Sequence, residues 1–411
     1  MKNGMMRRKR LGITIVSTAL IALLLVTACG PAPAPPTGDK VVEVGCLVAL
    51  TGPVGGPSSY PFYAMQDYLE YFNDQDSIPG VEIELIWTDT ATVDSREISA
   101  YNRFIARGIP IIMTVIDSEK FVAWTARDKT PMIALAQTED IMYPPSWMYS
   151  IYPTWAESFY VWCQWIMKNW KEGEAPKVVL IGPDTVAGPP AILPAKSYVE
   201  SLGIELMAPE YTSGYALMDT STQLLRAHSN GADYVYILPI WSLASIVLKD
   251  AERLKLIDKM HFGGLENTQG TRMVQQLGDV ANGYSAPRNS PWIEETQVPG
   301  IELIHDWRKE YGRPYDFAGD DIHGTVLMAV ACEAVRRAIA KVGTENLDGP
   351  AIKEAMDSFR DWDVYEIKQI TYTAEDHRGW NKARIYEVRD GDVIPLPDWI
   401  VAPMIMPEGL R

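Results

Sequence analysis

The chain has 411 residues, enough for two domains with cores of their own. Hydrophobic residues make up 47% and charged residues 22%, the balance of a soluble globular protein. A formal charge of −16 lacks the basic footprint that binding to DNA or RNA requires, which excludes nucleic acid as a partner.

The first element reads as an export signal. Arg7, Arg8, Lys9 and Arg10 form a positive start, and the dense apolar part that follows, 19–26, is far shorter than the ~20 residues of a spanning helix. Val26-Thr27-Ala28-Cys29 resembles the lipobox of bacterial lipoproteins. That resemblance implies cleavage after Ala28 and lipid on Cys29, which would tether the protein to a membrane outside the cytoplasm, at the periplasm or cell surface. An ordinary signal peptide with a chance cysteine is the alternative. Cleavage would leave 383 residues and, with five positive charges gone, a charge of about −21. The Pro-rich stretch 30–37 then serves as an extended spacer.

From Val41 onward, β-rich runs alternate with helical ones. VVEVGCLVAL predicts a strand ending at Thr51-Gly52-Pro53, followed by a helix over 60–73 and the strand VEIELIWTD. The spacing of Ile98, Tyr101, Phe104 and Ile105 predicts a helix over 96–107. IPIIMTVI reads as a buried strand, 119–127 as a helix and PMIALA as another strand. The pattern then restarts with an aromatic-rich helix over 155–170 and the strand KVVLIGPD. IELMAPE, ADYVYILP and MHFGGLE are further strands, with helices over 218–228 and 243–256 between them. Helices over 301–311, 322–342 and 351–359 follow GYSAP. The end reads as β structure, VYEIKQITYT and ARIYEVRDGDVI, with a turn at Asp390-Gly391-Asp392. Strand–helix alternation of this kind marks parallel sheets with helices on both faces. Two similar doubly wound halves are expected.

Chemical motifs are missing. There is no Gly-x-Ser-x-Gly elbow, no phosphate loop and no Gly-x-Gly-x-x-Gly after a strand. The five histidines are scattered and none sits in His-Glu-x-x-His, so neither a metal nor another cofactor is expected. Cys46, Cys163 and Cys332 cannot all pair within one chain and read as small buried hydrophobes, with a Cys46–Cys332 bridge left open. Trp162 and Trp165, with Phe159 and Tyr160, read as packing of one helix, whereas Trp155 and Trp241 are better placed for a cleft. A two-lobed exported α/β protein with no catalytic constellation is most simply a binding protein, not an enzyme.

The opening VVEVGCLVALTGPVGGPSSYPFYAMQDYLEYFND resembles that of the leucine/isoleucine/valine-binding protein family, type I periplasmic binding proteins that feed ABC importers. ARGIPIIMTVIDSE, KTPMIALAQTED, KVVLIGPDT, GADYVYILP, HFGGLENTQG and HRGWNKARIYEV follow in the family's order. The resemblance implies two doubly wound parallel-sheet lobes joined by a three-strand hinge, with crossovers near Thr154, Arg288 and His377. Lobe 1 would take 41–154 and 288–377, and lobe 2 would take 155–287 and 378–411, after a signal over 1–28 and a linker over 29–40. It also implies ligand contacts from Ser58 to Tyr60, with Tyr60 foremost, and from Ser118, Ala136, Thr138 and Trp241. Glu266 would receive a ligand ammonium, a role arguable with Asn267. Departures are Ala187, where amino-acid binders carry an aromatic residue, and Asp117, which would repel a carboxylate unless it caps the next helix. The function implied is capture of a small ligand, an amino acid, amide or related compound, by a monomer that delivers it to a permease and ATPase. A ligand sensor on the same fold and an exported enzyme are the alternatives.

Overall fold

The computed structural model describes residues 40–52, 55–116, 119–135, 138–171, 173–213, 219–239, 241–312 and 321–407, apart from the side chains of 56–58, 241 and 321. In chain order, the first group of elements is β1 (Lys40–Val48), α1 (Gly55–Asp74), β2 (Val81–Asp89), α2 (Asp94–Ala106), β3 (Ile112–Thr114), α3 (Val122–Asp128), β4 (Met132–Ala134), α4 (Glu139–Met142) and β5 (Met148–Tyr149). The second is α5 (Trp155–Asn169), β6 (Lys177–Pro183), α6 (Lys196–Ser201), β7 (Glu205–Leu206), β8 (Glu210–Thr212), α7 (Ser221–Ser229), β9 (Tyr234–Ile237), α8 (Trp241–Arg253), β10 (His261–Gly264), α9 (Thr271–Leu277) and β11 (Ser285–Arg288). The chain closes with α10 (Pro299–Tyr311), α11 (Asp321–Val342), α12 (Gly349–Met356), β12 (Trp362–Val364), β13 (Lys368–Ile370), β14 (Lys382–Arg389) and β15 (Asp392–Val401).

These elements build two large sheets and a small hairpin. The first is five-stranded and parallel, in the order β2-β1-β3-β4-β5. The second is eight-stranded. Its parallel part runs β11-β10-β9-β6, with β7 and β8 both on β6, and an antiparallel hairpin, β14-β15, extends it beside β11. This is the doubly wound α/β architecture that the alternation predicts. β1 is apolar almost throughout because helices cover both faces of its sheet. The β14–β15 turn uses Asp390 and Gly391, both with positive φ (51° and 85°), the geometry of a tight hairpin that follows the strand twist.

The chain passes between the sheets three times: after β5, after β11, and between β13 and β14. The first core therefore holds side chains from β1 to Tyr152 together with Trp292 to Tyr372, including the apolar face of α11. The second sheet has a core on each side, one built on α5 and one on α7, α8 and α9. Helix α11 packs on α1 so closely that a Cβ at Gly324 would collide with the Pro61 carbonyl. Gly263 plays a similar part in β10, where a Cβ would strike the Trp162 ring. Trp162 is fully buried and donates from Nε1 to Ser285 Oγ at 2.9 Å, so it packs its helix onto the sheet.

Some predicted strands are shorter or split. Of IPIIMTVI only Ile112–Thr114 pairs with neighbours. IELMAPE divides into β7 and β8 around Ala208-Pro209, where proline brings no N–H to a ladder. VYEIKQITYT folds into a separate two-stranded hairpin, β12–β13, with Tyr365 and Glu366 turning it at positive φ. The three described cysteines are free and buried, so Cys46 and Cys332 do not pair. Among the described residues, no helix is long and apolar enough to cross a membrane.

Candidate functional site

The carboxyl ends of the strands of both sheets meet the passages of chain between them, and polar side chains concentrate there. The segment after β10 forms a short helical turn, Glu266–Thr268, anchored by Thr268 Oγ1, which donates to Leu265 O at 2.5 Å and lies 2.6 Å from Tyr284 Oη. This turn presents Glu266, of which only 8% stays exposed.

Three side chains from distant segments close on that carboxylate, and a fourth, Lys368, joins them through Asn289. Arg288, at the end of β11, donates from Nη1 to the carbonyls of Glu266 (3.0 Å) and Gln269 (3.2 Å), and its Nη2 lies 3.4 Å from Glu266 Oε1. The backbone N–H of Asn289 donates to Oε2 at 3.3 Å, and Asn289 Nδ2 donates to the same oxygen. His323, near the start of α11, places Nε2 at 3.1 Å from Oε1. Lys368, on β13, donates to Asn289 Oδ1 at 2.6 Å and to the Ile151 carbonyl at 3.0 Å. Tyr152 completes the group, its ring 5.1 Å from the His323 ring and 5.4 Å from Lys368 Nζ. Arg288 also rests on Trp292, with Cζ 4.7 Å from the ring centre.

The tautomer of His323 follows from these partners. Lysine only donates, so the Asn289 atom it meets is an oxygen, and Nε2 at 3.2 Å from that oxygen faces two acceptors. Nε2 therefore carries a proton. Burial alone would push the Glu266 carboxyl up, but His323, Arg288 and Lys368 outweigh it and hold the group down to about 2. Burial pushes Lys368 down, helped by Arg288 and opposed by Glu266, to about 7.

A second polar group braces the first and third passages. Thr154 and Glu157 form a capping box at the start of α5. Glu157 accepts from Tyr143 Oη at 2.7 Å and pairs with Arg378 at 3.1 Å, which also grips Asp376 at 2.7 Å. His377 stacks on Tyr149, ring centres 4.1 Å apart, and Ser150 N donates to the His377 carbonyl at 2.8 Å.

The residues nominated from the sequence fall into three sets. Glu266 lies at the centre of the buried cluster. Tyr60, near the start of α1, is buried and carries the Arg272 guanidinium of α9 at 5.6 Å from its ring, a contact that joins elements of the two sheets. Thr138, buried after β4, donates to Glu119 Oε1 at 2.5 Å, on the turn after β3, and not to the Glu266 group. Asp117, Ser118, Ala136 and Cys29 lie outside the described residues, as do the side chains of Ser58 and Trp241. Trp155 is buried in the core built on α5, and Ala187 packs against that same core.

Arg288, Asn289, His323, Lys368 and Tyr152 were not nominated. One signal was available for Lys368. It stands in phase with Ile370, at a position strand alternation reserves for the interior, and both are buried while Gln369 is exposed.

Two sheets joined by three passages, with convergent polar side chains where they meet, define a two-lobed binding protein of the doubly wound α/β type. The sequence profile of the periplasmic binding protein family matches residues 41–392, and the chain belongs to that family. Its members are extracytoplasmic and include the substrate-binding proteins of ABC transporters. No curated protein matches the chain significantly in sequence. A branched chain amino acid ABC transporter protein from Thermus thermophilus with bound valine superposes with a TM-score of 0.81 at 21% identity, covering 90% of this chain and 98% of that one. A fatty acid ABC transporter substrate-binding protein from Thermomonospora curvata gives 0.77 at 17% identity, covering 92% and 97%. A possible leucine/isoleucine/valine-binding protein from Rhodopirellula baltica gives 0.74 at 14%, covering 89% and 98%.

Proposed function

We propose that the chain is the lipid-anchored substrate-binding subunit of an ABC importer of the branched-chain-amino-acid type. A small ligand, an amino acid, amide or related compound, enters between the lobes, and closure buries it before delivery to the permease and ATPase. Tyr60, Thr138 and Glu266 contribute to its binding together with Ser118, Ala136 and Trp241, and Cys29 carries the lipid. The protein acts as a monomer and performs no covalent chemistry. The observation that carries this reading is the approach of side chains across the junction of the two sheets. Arg272 of α9 lies over Tyr60 of α1, and His323 of α11 lies against Glu266 after β10. The fold itself is compatible with different ligand chemistries, since the similar structures include a valine complex and a fatty acid binder.

The test is mass spectrometry of whatever co-purifies with the protein, followed by X-ray scattering and thermal unfolding with that compound. A bound small molecule that shrinks the radius of gyration and raises the melting temperature supports the reading. Turnover of the compound by the purified protein refutes it, as does binding with no compaction.

A further inference from the structure

We propose that the C-terminal segment 402–407 is a strap that joins the two lobes a fourth time and holds them at their resting angle. The proposal concerns how the lobes are held, whatever ligand enters between them.

The segment leaves the second sheet at the end of β15 and forms no strand of its own. Its side chains part in two directions. Ala402 and Ile405 are buried in the core built on α5, Ile405 completely. Met404 and Met406 pack against the core of the first sheet. Residues 404, 405 and 406 thus alternate between the lobes, the pattern of an extended chain lying in a seam between two surfaces. Pro403 and Pro407 stiffen it further by fixing φ.

The backbone is tied down at the same place. Ala402 N donates to the Asn381 carbonyl at 2.8 Å. Arg378 Nη1 donates to the carbonyls of Ala402 at 3.4 Å and Pro403 at 3.1 Å. Ile405 N donates to Glu157 Oε1 at 3.1 Å. That oxygen also accepts from Oη of Tyr143, a residue of the first core, while Oε2 accepts from Thr154 N at 2.9 Å and faces Arg378. One fully buried carboxylate therefore gathers the first lobe, the first passage, the third passage and the strap. A buried N–H that loses its acceptor is costly, so Ile405 stays with Glu157 when the lobes move.

The residue types divide the work. Isoleucine is β-branched and stiff at χ1, which suits an anchor that keeps one seat. Methionine is unbranched and adaptable, which suits contact with a surface that shifts beneath it. The strap is thus fastened to the second lobe by Ile405, and the methionines are its grip on the first. Rotation of the lobes must drag the methionines across the first core or lift them from it. Lifting returns apolar surface to water, so the seated strap favours the resting angle over a wider one.

The experiment measures the distance between lobes by pulsed electron resonance in the ligand-free full-length protein. Asn102→Cys on α2 and Thr222→Cys on α7, both exposed, carry the spin labels, and Cys46, Cys163 and Cys332 are buried away from the reagent. The expected result is one dominant distance with the strap intact. Met404→Ser/Met406→Ser should add a second population at a longer distance, shifting the ratio of the two by about fivefold or more. Met404→Leu/Met406→Leu restores the apolar grip and should return the single distance. Circular dichroism and melting temperature report the fold separately, and Ile405→Ala should combine the second population with a lower melting temperature. An unchanged distance distribution in Met404→Ser/Met406→Ser overturns the strap, even where the melting temperature falls, because that outcome is packing alone. A second population that the leucine variant does not suppress overturns it as well. Met406→Ser alone supplies the same comparison should the double variant fail to fold.

Discussion

Glu266→Gln isolates the cost of leaving the hinge cations without their counter-charge. In the wild type, Arg288 has two carbonyl acceptors at 3.0 and 3.2 Å, an aromatic face at 4.7 Å and one carboxylate at 3.4 Å. The variant keeps all of these but the charge. Glutamine is nearly isosteric and can still meet Asn289, so the change is electrostatic rather than steric. Removing one partner of a buried ion pair costs about 3–5 kcal/mol, because the remaining charge stays buried and uncompensated. Lys368 can escape by losing its proton, since Glu266 is the group that holds its affinity for protons up. Arg288 cannot. The expected loss is therefore about 3–5 kcal/mol near neutral pH, set mainly by Arg288, read as a lower urea midpoint with an unchanged slope.

The pair should also be coupled. Arg288→Met removes the orphaned charge, so the double variant Glu266→Gln/Arg288→Met should lose less than the sum of the two single losses, by about 1–3 kcal/mol in a double-mutant cycle. A loss below about 0.5 kcal/mol in Glu266→Gln would mean that Arg288 is screened by solvent, contrary to its burial. Strict additivity would show that the two side chains do not share their charge. Either result refutes the assignment of Glu266 as the counter-charge of Arg288.

Other consequences are open to measurement. Burial, reinforced by Glu157, pushes Glu139 from 4.5 up to about 8, so the folded state binds the extra proton in that interval. Stability from this group is present below pH 4.5 and is lost as pH rises to about 8, by at most about 5 kcal/mol, and Glu139→Gln should flatten the decline. An unchanged pH profile in that variant would place the titration elsewhere. Cys29→Ser should abolish fatty-acid labelling and release the protein from the membrane fraction, and labelling that persists would reject the lipobox reading. At about 100 times the dissociation constant, a ligand should stabilise the protein by ~2.7 kcal/mol and reduce its radius of gyration, whereas identical scattering curves at saturation would count against closure.

The long elements were legible because their patterns are long. β2 spans the run VEIELIWTD, and Ala100, Tyr101 and Phe104 lie on the buried face of α2 at helical spacing. Short parallel strands were less so. β3 and β4 have three residues each inside longer apolar runs, because a run records burial while a strand also needs neighbours to pair with. The site was legible only in part, for a related reason. Glu266 was nominated through the order of family motifs, but the side chains around it come from elsewhere in the chain. Asn289 is 23 residues from Glu266, and Lys368 is a further 79 from Asn289. No local period links such positions. A charged residue in phase with a buried isoleucine, as Lys368 is with Ile370, shows that something must compensate it, though not what.

The place of the cluster ties its own charges to movement between the two sheets. Arg288 and Asn289 stand where the chain leaves the second sheet, Ile151 and Tyr152 where it leaves the first, and Lys368 on the hairpin before the third passage. Rotation of one sheet against the other must move some of these groups relative to the rest. Short hydrogen bonds such as Lys368 to Asn289 and to Ile151 survive only small displacements. Their strength depends on Lys368 keeping its proton, and that depends on the negative charge nearby. Glu266 holds that proton on Lys368 and with it the contacts that pin the three passages together. Closure would then draw on these side chains, so Lys368→Met should alter the compaction that a ligand produces, and scattering curves unchanged from the wild type would refute this coupling.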